Sequence, residues 1–203
     1  AASDVYKRQE LGLPQDSNKF MIGIISRLTD QKGLDLVNRV IEQILDENTQ
    51  LVVIGTGEPR YENLFKHFQW KYPDRVSANI FFSEQRAHKL YAAADAMLVP
   101  SRFEPCGLTQ LIALRYGTIP IVRETGGLKD TVSPYNEYEN SGNGFSFGNY
   151  DSYDMLNVIN YAKTIYFTQN EKWQEIIIRA MKSDFSWNYS ADQYAGMYNW
   201  LSN

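Results

Sequence analysis

A carboxylate, two cations and a set of glycine turns could carry chemistry in this chain. Glu104 stands in Ser101-Arg-Phe-Glu-Pro-Cys-Gly-Leu-Thr-Gln110, between an apolar run closed by Pro100 and a helical pattern that opens at Gly107. A carboxylate at the carboxyl end of a strand faces the crevice in which open α/β sheets hold their ligands. Free backbone N–H groups of Gly107, Leu108 and Thr109 at a helix start suit a phosphate or a sugar hydroxyl. The same acid fits a plain complement to the helix dipole. Phe103, Pro105 and Cys106 make a poor generic cap, which favours function. Cys106, the only cysteine, reads as a small packed residue, because no histidine neighbours it in sequence.

Arg27 and Lys32 lie in Ser26-Arg-Leu-Thr-Asp-Gln-Lys-Gly33, which leaves one strand and enters one helix. There they form a phosphate clamp or a solvated loop with incidental cations; spacing alone does not separate the two. Gly55-Thr-Gly57-Glu-Pro-Arg60 starts like a dinucleotide fingerprint, but Arg60 takes the third glycine position and the turn follows the second strand. A tight strand-to-helix turn is the better reading, with nucleotide contact as the alternative. Thr125-Gly126-Gly127 either lets a ligand approach the backbone closely or is an ordinary turn. Joint position strengthens all four segments, since they follow strands one, two, four and five of one parallel sheet and so share an edge. His67, beside Phe65, Phe68 and Trp70, reads as structural, and His88 as a partly exposed helix residue.

The elements that position these residues alternate along the chain. Phe20–Ser26 is apolar and β-branched, the pattern of a strand buried on both faces. Leu34, Val37, Val40, Ile41, Ile44 and Leu45 then recur at helical spacing. Leu51–Ile54 reads as the second strand, and Pro59 suits the first turn of a helix running to Trp70. Val76–Phe82 reads as the third strand, Ala87–Ala94 as a helix, and Ala96–Val99 as the fourth strand. Gly107–Tyr116 follows as a helix, Thr118–Val122 as the fifth strand and Gly144–Phe147 as a short sixth. The alternation predicts an α/β fold, a Rossmann-like doubly wound parallel sheet of about six strands. After Asp151 three helices follow, near 151–167, 171–182 and 190–201. Their aromatics fall at helical spacing and read as core, with a carbohydrate-binding surface as the alternative. Ser133–Asn143 is polar and Gly/Asn-rich, the composition of a mobile surface loop.

The 203 residues suffice for one domain with a sizeable core, and 43% hydrophobic with 22% charged residues is ordinary globular composition. A net charge of −4 argues against a nucleic-acid surface. One cysteine and two histidines leave no internal disulfide and argue against a metal cluster. No apolar run has the length of a membrane span, and Ala1–Glu10 is polar without a signal core, so a cytoplasmic protein is expected.

The motifs Ser26–Asp35, Gly55–Gly57, Val99–Gln110, Tyr116–Pro120 and Thr125–Val132 resemble, in order, those of the C-terminal half of the ADP-glucose type of bacterial glycogen synthases and plant starch synthases. The resemblance runs from about Leu11 to the end. It implies the GT-B arrangement, two Rossmann-like domains across a cleft. It further implies transfer of glucose from ADP-glucose to the non-reducing end of an α-1,4-glucan, with retention, without cofactor or metal. Arg27 and Lys32 would bind the donor diphosphate and share in catalysis with Glu104, which would lie against the glucose ring. The stretch Cys106, Gly107, Leu108 and Thr109 would hold glucose hydroxyls or the distal phosphate. Phe82 matches an aromatic position near the adenine, Gly55 and Gly57 would touch the nucleotide, and Thr125, Gly126 and Gly127 would line the phosphate end.

Two departures stand beside the resemblance. Ile112 occupies the place of a second glutamate used on the ribose by many relatives. The family's N-terminal Lys-x-Gly-Gly loop and histidine have no counterpart here. The expectation is therefore a single donor-holding domain over 1–203, inactive alone, that meets its glucan through an N-terminal domain, with 1–10 as linker and 184–203 as a crossover helix. A UDP-glucose transferase of the same fold and a non-catalytic nucleotide module are the alternatives; a dinucleotide oxidoreductase is disfavoured by Arg60 and by the Arg27/Lys32 pair.

Overall fold

The computed structural model describes residues 8–201. Six parallel strands form one sheet in the order β3-β2-β1-β4-β5-β6. They are β1 (Phe20–Ile25), β2 (Thr49–Ile54), β3 (Val76–Asn79), β4 (Ala96–Val99), β5 (Ile119–Arg123) and β6 (Phe145–Phe147). Helices α1 (Leu34–Ile44), α2 (Pro59–Lys71), α6 (Ser152–Thr168) and α7 (Asn170–Lys182) pack on one face. Helices α3 (Glu84–Ala93), α4 (Thr109–Tyr116) and α5 (Gly126–Thr131) pack on the other, and α8 (Trp187–Leu201) ends the described chain.

Period-two alternation explains why the strands are apolar throughout. Phe20, Ile22 and Ile24 of β1 face the first helical layer, and Met21 faces the second. Val53 and Val52 of β2 divide in the same way. Helix α1 buries Leu34, Leu36, Val37, Val40, Ile41 and Ile44, each contributing roughly 1.5–3 kcal/mol relative to exposure. Side chains also set the helix starts. Asp151 accepts from the Tyr153 and Asp154 amides at 2.8 and 3.1 Å to cap α6, and the Ser83 hydroxyl accepts from Arg86 N to cap α3.

Several expectations need correction. Strand β3 ends at Asn79, not at Phe82. It is an edge strand with β2 as its partner, and β2 stops at Ile54, so no ladder remains for Ile80–Phe82. Phe81 and Phe82 are exposed instead. Strand β2 starts two residues early, at Thr49. Gly107 lies outside α4 at φ +76°, and the helix starts at Thr109. Thr125–Gly127 is not only a turn: Gly126 opens the short helix α5.

The 133–143 loop is tied down. Arg179 Nε donates to Gly142 O at 2.7 Å, Asn143 Nδ2 to Ser183 Oγ at 3.1 Å, and Tyr135 packs on Phe145 and Tyr161. Arg8 does not behave as linker. It is buried, and its guanidinium donates to Gln50 Oε1 at 2.6 Å and pairs with Asp95. The rest of the 1–10 expectation, at 1–7, lies outside the described residues, as do 202 and 203 of the 184–203 segment.

The core reading of the late aromatics holds for Tyr166 and Trp173, which pack on Phe20 at 4.9 and 5.7 Å between ring centroids, but not for Tyr153 and Phe167 of α6, which are 51% and 43% exposed. It fails for α8, where Trp187, Tyr194, Tyr198 and Trp200 are 61–90% exposed.

Candidate active site at the carboxyl edge of the sheet

The chain runs from β1 outward to β2 and from β4 outward to β5, so the strand order reverses between β1 and β4. Loops leaving the carboxyl ends of these two strands diverge and open a crevice there. The Ser26–Gly33 loop follows β1, and the Pro100–Leu108 loop follows β4. A cleft between them is lined by Ser26, Lys32, Ser101, Glu104, Leu108 and Thr109, among others.

Lys32 and Glu104 meet in this cleft. Lys32 Nζ lies 2.5 Å from Glu104 Oε2, and both side chains are largely buried. The Ser101 hydroxyl donates to the same carboxylate oxygen at 3.1 Å. Arg27 stands apart, exposed on the same loop and in no ion pair among the described residues. One cation is thus neutralised inside the crevice, and another stands exposed on the same loop. Lys32 ends a short 3-10 turn, Asp30–Lys32. A charged cluster fixes that turn: Asp30 accepts from Arg60 and from the Tyr61 hydroxyl. These two donors hold the Asp30 carboxyl below its ordinary value, Tyr61 first. Burial, then Asp30, pushes the Tyr61 hydroxyl up. Arg60, which spoils the dinucleotide fingerprint, therefore has a structural task.

The motif glycines act between loops. A Cβ on Gly33 would stand 2.0 Å from Pro100 O, which joins the β1 loop to the end of β4. A Cβ on Gly55 would stand 1.9 Å from Ser26 O, and one on Gly57 would stand 2.3 Å from Leu28 O. The amides of Gly55 and Gly57 are taken by Asn79 O and Glu62 Oε1. Both glycines thus lie directly behind the Arg27 loop. Gly126 and Gly127 do the same for the Glu104 loop, with Cβ positions 2.2 Å from Glu104 O and 2.0 Å from Cys106 O. Gly127 N also donates to Glu104 O at 3.1 Å.

The remaining expected residues line the same edge. Leu108 is exposed at the start of α4, with Gly107 and Thr109 half-buried beside it. Cys106 is a free, exposed thiol on the loop before α4, which corrects its reading as a small packed residue. Thr125 precedes α5. Phe82 is 73% exposed beyond β3, at the far end of the row from Thr125. His88 lies outside the site, bonded to the Tyr116 hydroxyl at 2.8 Å, and His67 is exposed on α2. Among the described residues no group of His, Cys, Asp or Glu could hold a metal ion, and no helix is long and apolar enough to cross a membrane.

Sequence reasoning missed three supports of the site. Ser101 is fully buried and bonds Glu104. Gln110 is also buried, and its Nε2 donates to Cys106 O and Gly107 O at 3.1 and 3.0 Å, fixing the loop before α4. Arg123 ends β5 and bonds the backbone of the Glu104 loop. All three lie inside or beside quoted motifs, but a polar residue in a motif does not announce whether it serves ligand or loop.

The chain is 63% identical over 194 residues to a glycogen synthase of Lachnospira eligens, covering 96% of this chain and 41% of that protein. It is 58% identical to a glycogen synthase of Lachnoclostridium phytofermentans, with the same coverage. Its fold superposes on the catalytic domain of starch synthase IV from Arabidopsis thaliana, a structure bound to ADP and acarbose, with a TM-score of 0.87 and 36% identity. That match covers 98% of this chain and 42% of the other. The chain thus spans about two fifths of the length of the curated relatives it matches. The six-stranded parallel sheet with its flanking helices is a GT-B glycosyltransferase domain. Residues 7–181 match the family model of glycosyl transferases group 1, and the chain belongs to that family.

Proposed function

We propose that this chain is the donor-binding domain of a glycogen-synthesising enzyme, a retaining glucosyltransferase that moves glucose from ADP-glucose to the non-reducing end of an α-1,4-glucan. The observation that carries the reading is the Lys32–Glu104 pair at the β1/β4 crevice, with exposed Arg27 on the same loop. Names of the relatives and the ADP in the starch synthase structure support the donor's identity.

Charge accumulates on the diphosphate as the bond to glucose breaks. Two preorganised cations stabilise that charge without the reorganisation water would need. The Arg27 fork suits two phosphate oxygens at once, whereas Lys32 acts as a point charge. Lys32, paired with Glu104, turns to the phosphate of the donor. Glu104, held by Ser101, lies against the glucose. The amides of Gly107, Leu108 and Thr109 receive sugar hydroxyls or the distal phosphate, with Cys106 beside them. Phe82 offers a flat face to the adenine, and Thr125–Gly127 closes the phosphate end. Gly55 and Gly57 reach the nucleotide through the loop they support.

The glucan acceptor is held by a second domain outside this chain, and the 184–203 segment crosses back onto it. The whole enzyme works in the cytoplasm, without nucleic acid or membrane as partner. Calorimetric titration of ADP, with UDP as control, tests the reading. ADP binds more tightly than UDP, and Arg27→Ala abolishes the binding. Equal affinity for UDP would remove the ADP-glucose assignment, and no binding of either would remove this crevice as a self-sufficient donor site.

A further inference from the structure

We propose that Arg123 is the positioning residue that holds both arms of the Lys32–Glu104 pair, acting through the Ser101–Arg102 backbone and not on the substrate. The proposal rests on the donor-site reading above. Arg123 ends β5, half-buried, one strand away from the crevice. Its Nε donates to Ser101 O at 2.9 Å, one terminal nitrogen donates to Arg102 O, and the other reaches Gly148 O at 3.4 Å. Three carbonyls from two loops therefore converge on one guanidinium. Arg123 forms no ion pair among the described residues, so carbonyl dipoles and the face of Tyr150, 5.6 Å from ring centroid to guanidinium carbon, balance its charge.

The two residues it grips control the two arms of the pair. Ser101 carries the hydroxyl that bonds Glu104 Oε2. The Arg102 amide donates to Gln31 O at 2.8 Å, one residue before Lys32. Arg102 also lies over the Tyr150 ring, at 4.8 Å. The Tyr150 hydroxyl donates to Asp35 Oδ1 at 2.5 Å, in the first turn of α1 directly after the Lys32 loop. Burial, then Asp35, pushes this hydroxyl up to about 12, so it remains a donor. The contacts form a closed ring: Lys32 loop, Asp35, Tyr150, Arg123, Ser101, Glu104 and back to Lys32. Arginine is required because a planar fork reaches several carbonyls in fixed directions, which a lysine ammonium cannot.

The test uses Arg123→Lys and Ser101→Ala, alone and combined, with ADP affinity, amide hydrogen exchange and melting temperature as readouts. Arg123→Lys speeds exchange at the Arg102 amide while Ile22 and Val53 in the core strands keep their protection. It weakens ADP binding by about tenfold, the size expected for a lost charge-assisted hydrogen bond. The double variant binds ADP no more weakly than Arg123→Lys alone, because both losses run through one turn. Additive losses, an unchanged Arg102 amide, or faster exchange throughout the core would each overturn the proposal. A parent chain that binds no ADP would count against the donor-site reading alone, and the exchange arm would still decide whether Arg123 holds the turn.

Discussion

Gly127→Ala should uncouple the two halves of the crevice edge. The φ of Gly127 is not in the left-handed region, so alanine meets no backbone strain and close approach alone is tested. The new Cβ would stand 2.0 Å from Cys106 O and 2.6 Å from Cys106 C, whereas ordinary contact begins at 3.4 Å. Those atoms are backbone and cannot rotate away, so the Glu104–Gly107 loop must retreat by about 1 Å or α5 must shift. Overpacking of this kind costs about 1–3 kcal/mol. Weakening the Gly127 N to Glu104 O bond adds about 1 kcal/mol. For a chain of this size the melting temperature should fall by roughly 4–16 °C. Displacing Glu104 by an ångström should also lower glucosyl transfer in the complete enzyme by on the order of a hundredfold. Scanning calorimetry and an ADP titration read the first effects, and turnover of ADP-glucose reads the last. A melting temperature within about 2 °C of the parent, with unchanged ADP affinity, would refute the claim that this glycine exists for close approach.

Two further outcomes are expected. Burial pushes Asp95 up to about 6, against the pull of Met21 N–H and Arg8. Its unfolded value is near 3.8, so between the two the folded chain binds more protons than the unfolded one. Stability from the neutral acid is therefore fully present below about pH 4 and lost as pH rises through about 6. Asp95→Asn should remove that part of the slope of melting temperature against pH, and an identical slope would contradict the burial argument. Limited digestion with chymotrypsin should remove α8, whose Trp187, Tyr194, Tyr198 and Trp200 are exposed, and leave a core ending near Lys182; full protection of α8 would show that it docks on this domain.

The sheet was legible because its strands are buried on both faces and so read as unbroken apolar runs. That rule misled at Ile80-Phe81-Phe82, where the apolar run outlasts the partner strand and the aromatics turn to solvent. It misled again in the C-terminal helices. Helical spacing shows that a helix has an apolar face, as Trp173 does in α7 and Trp200 does in α8, but only packing shows whether this chain covers it. Helix α5 was hidden because two glycines lower helix propensity, and here close approach to Glu104 and Cys106 outweighs that cost. In the site, the residue types were legible and their partnership was not. Lys32 and Glu104 are 72 residues apart, and no local pattern relates them.

What joins them is the pairing of each charged loop with a glycine on a neighbouring segment. Gly55 and Gly57 admit the backbone of Ser26 and Leu28, and Gly126 and Gly127 admit that of Glu104 and Cys106. Gly33 then brings the β1 loop against Pro100 at the end of β4. Each contact is backbone against backbone, so a side chain at any of these glycines would move a loop before it touched a ligand. This changes what a glycine-rich motif means at a sheet edge. In an isolated reading, a paired glycine offers room for phosphate. In this chain the room is already filled by protein, and the gain is precision in where Lys32 and Glu104 stand. Activity should therefore be sensitive to substitutions at these glycines through the loops they hold, with the largest losses where the facing backbone has no flexible side chain to yield.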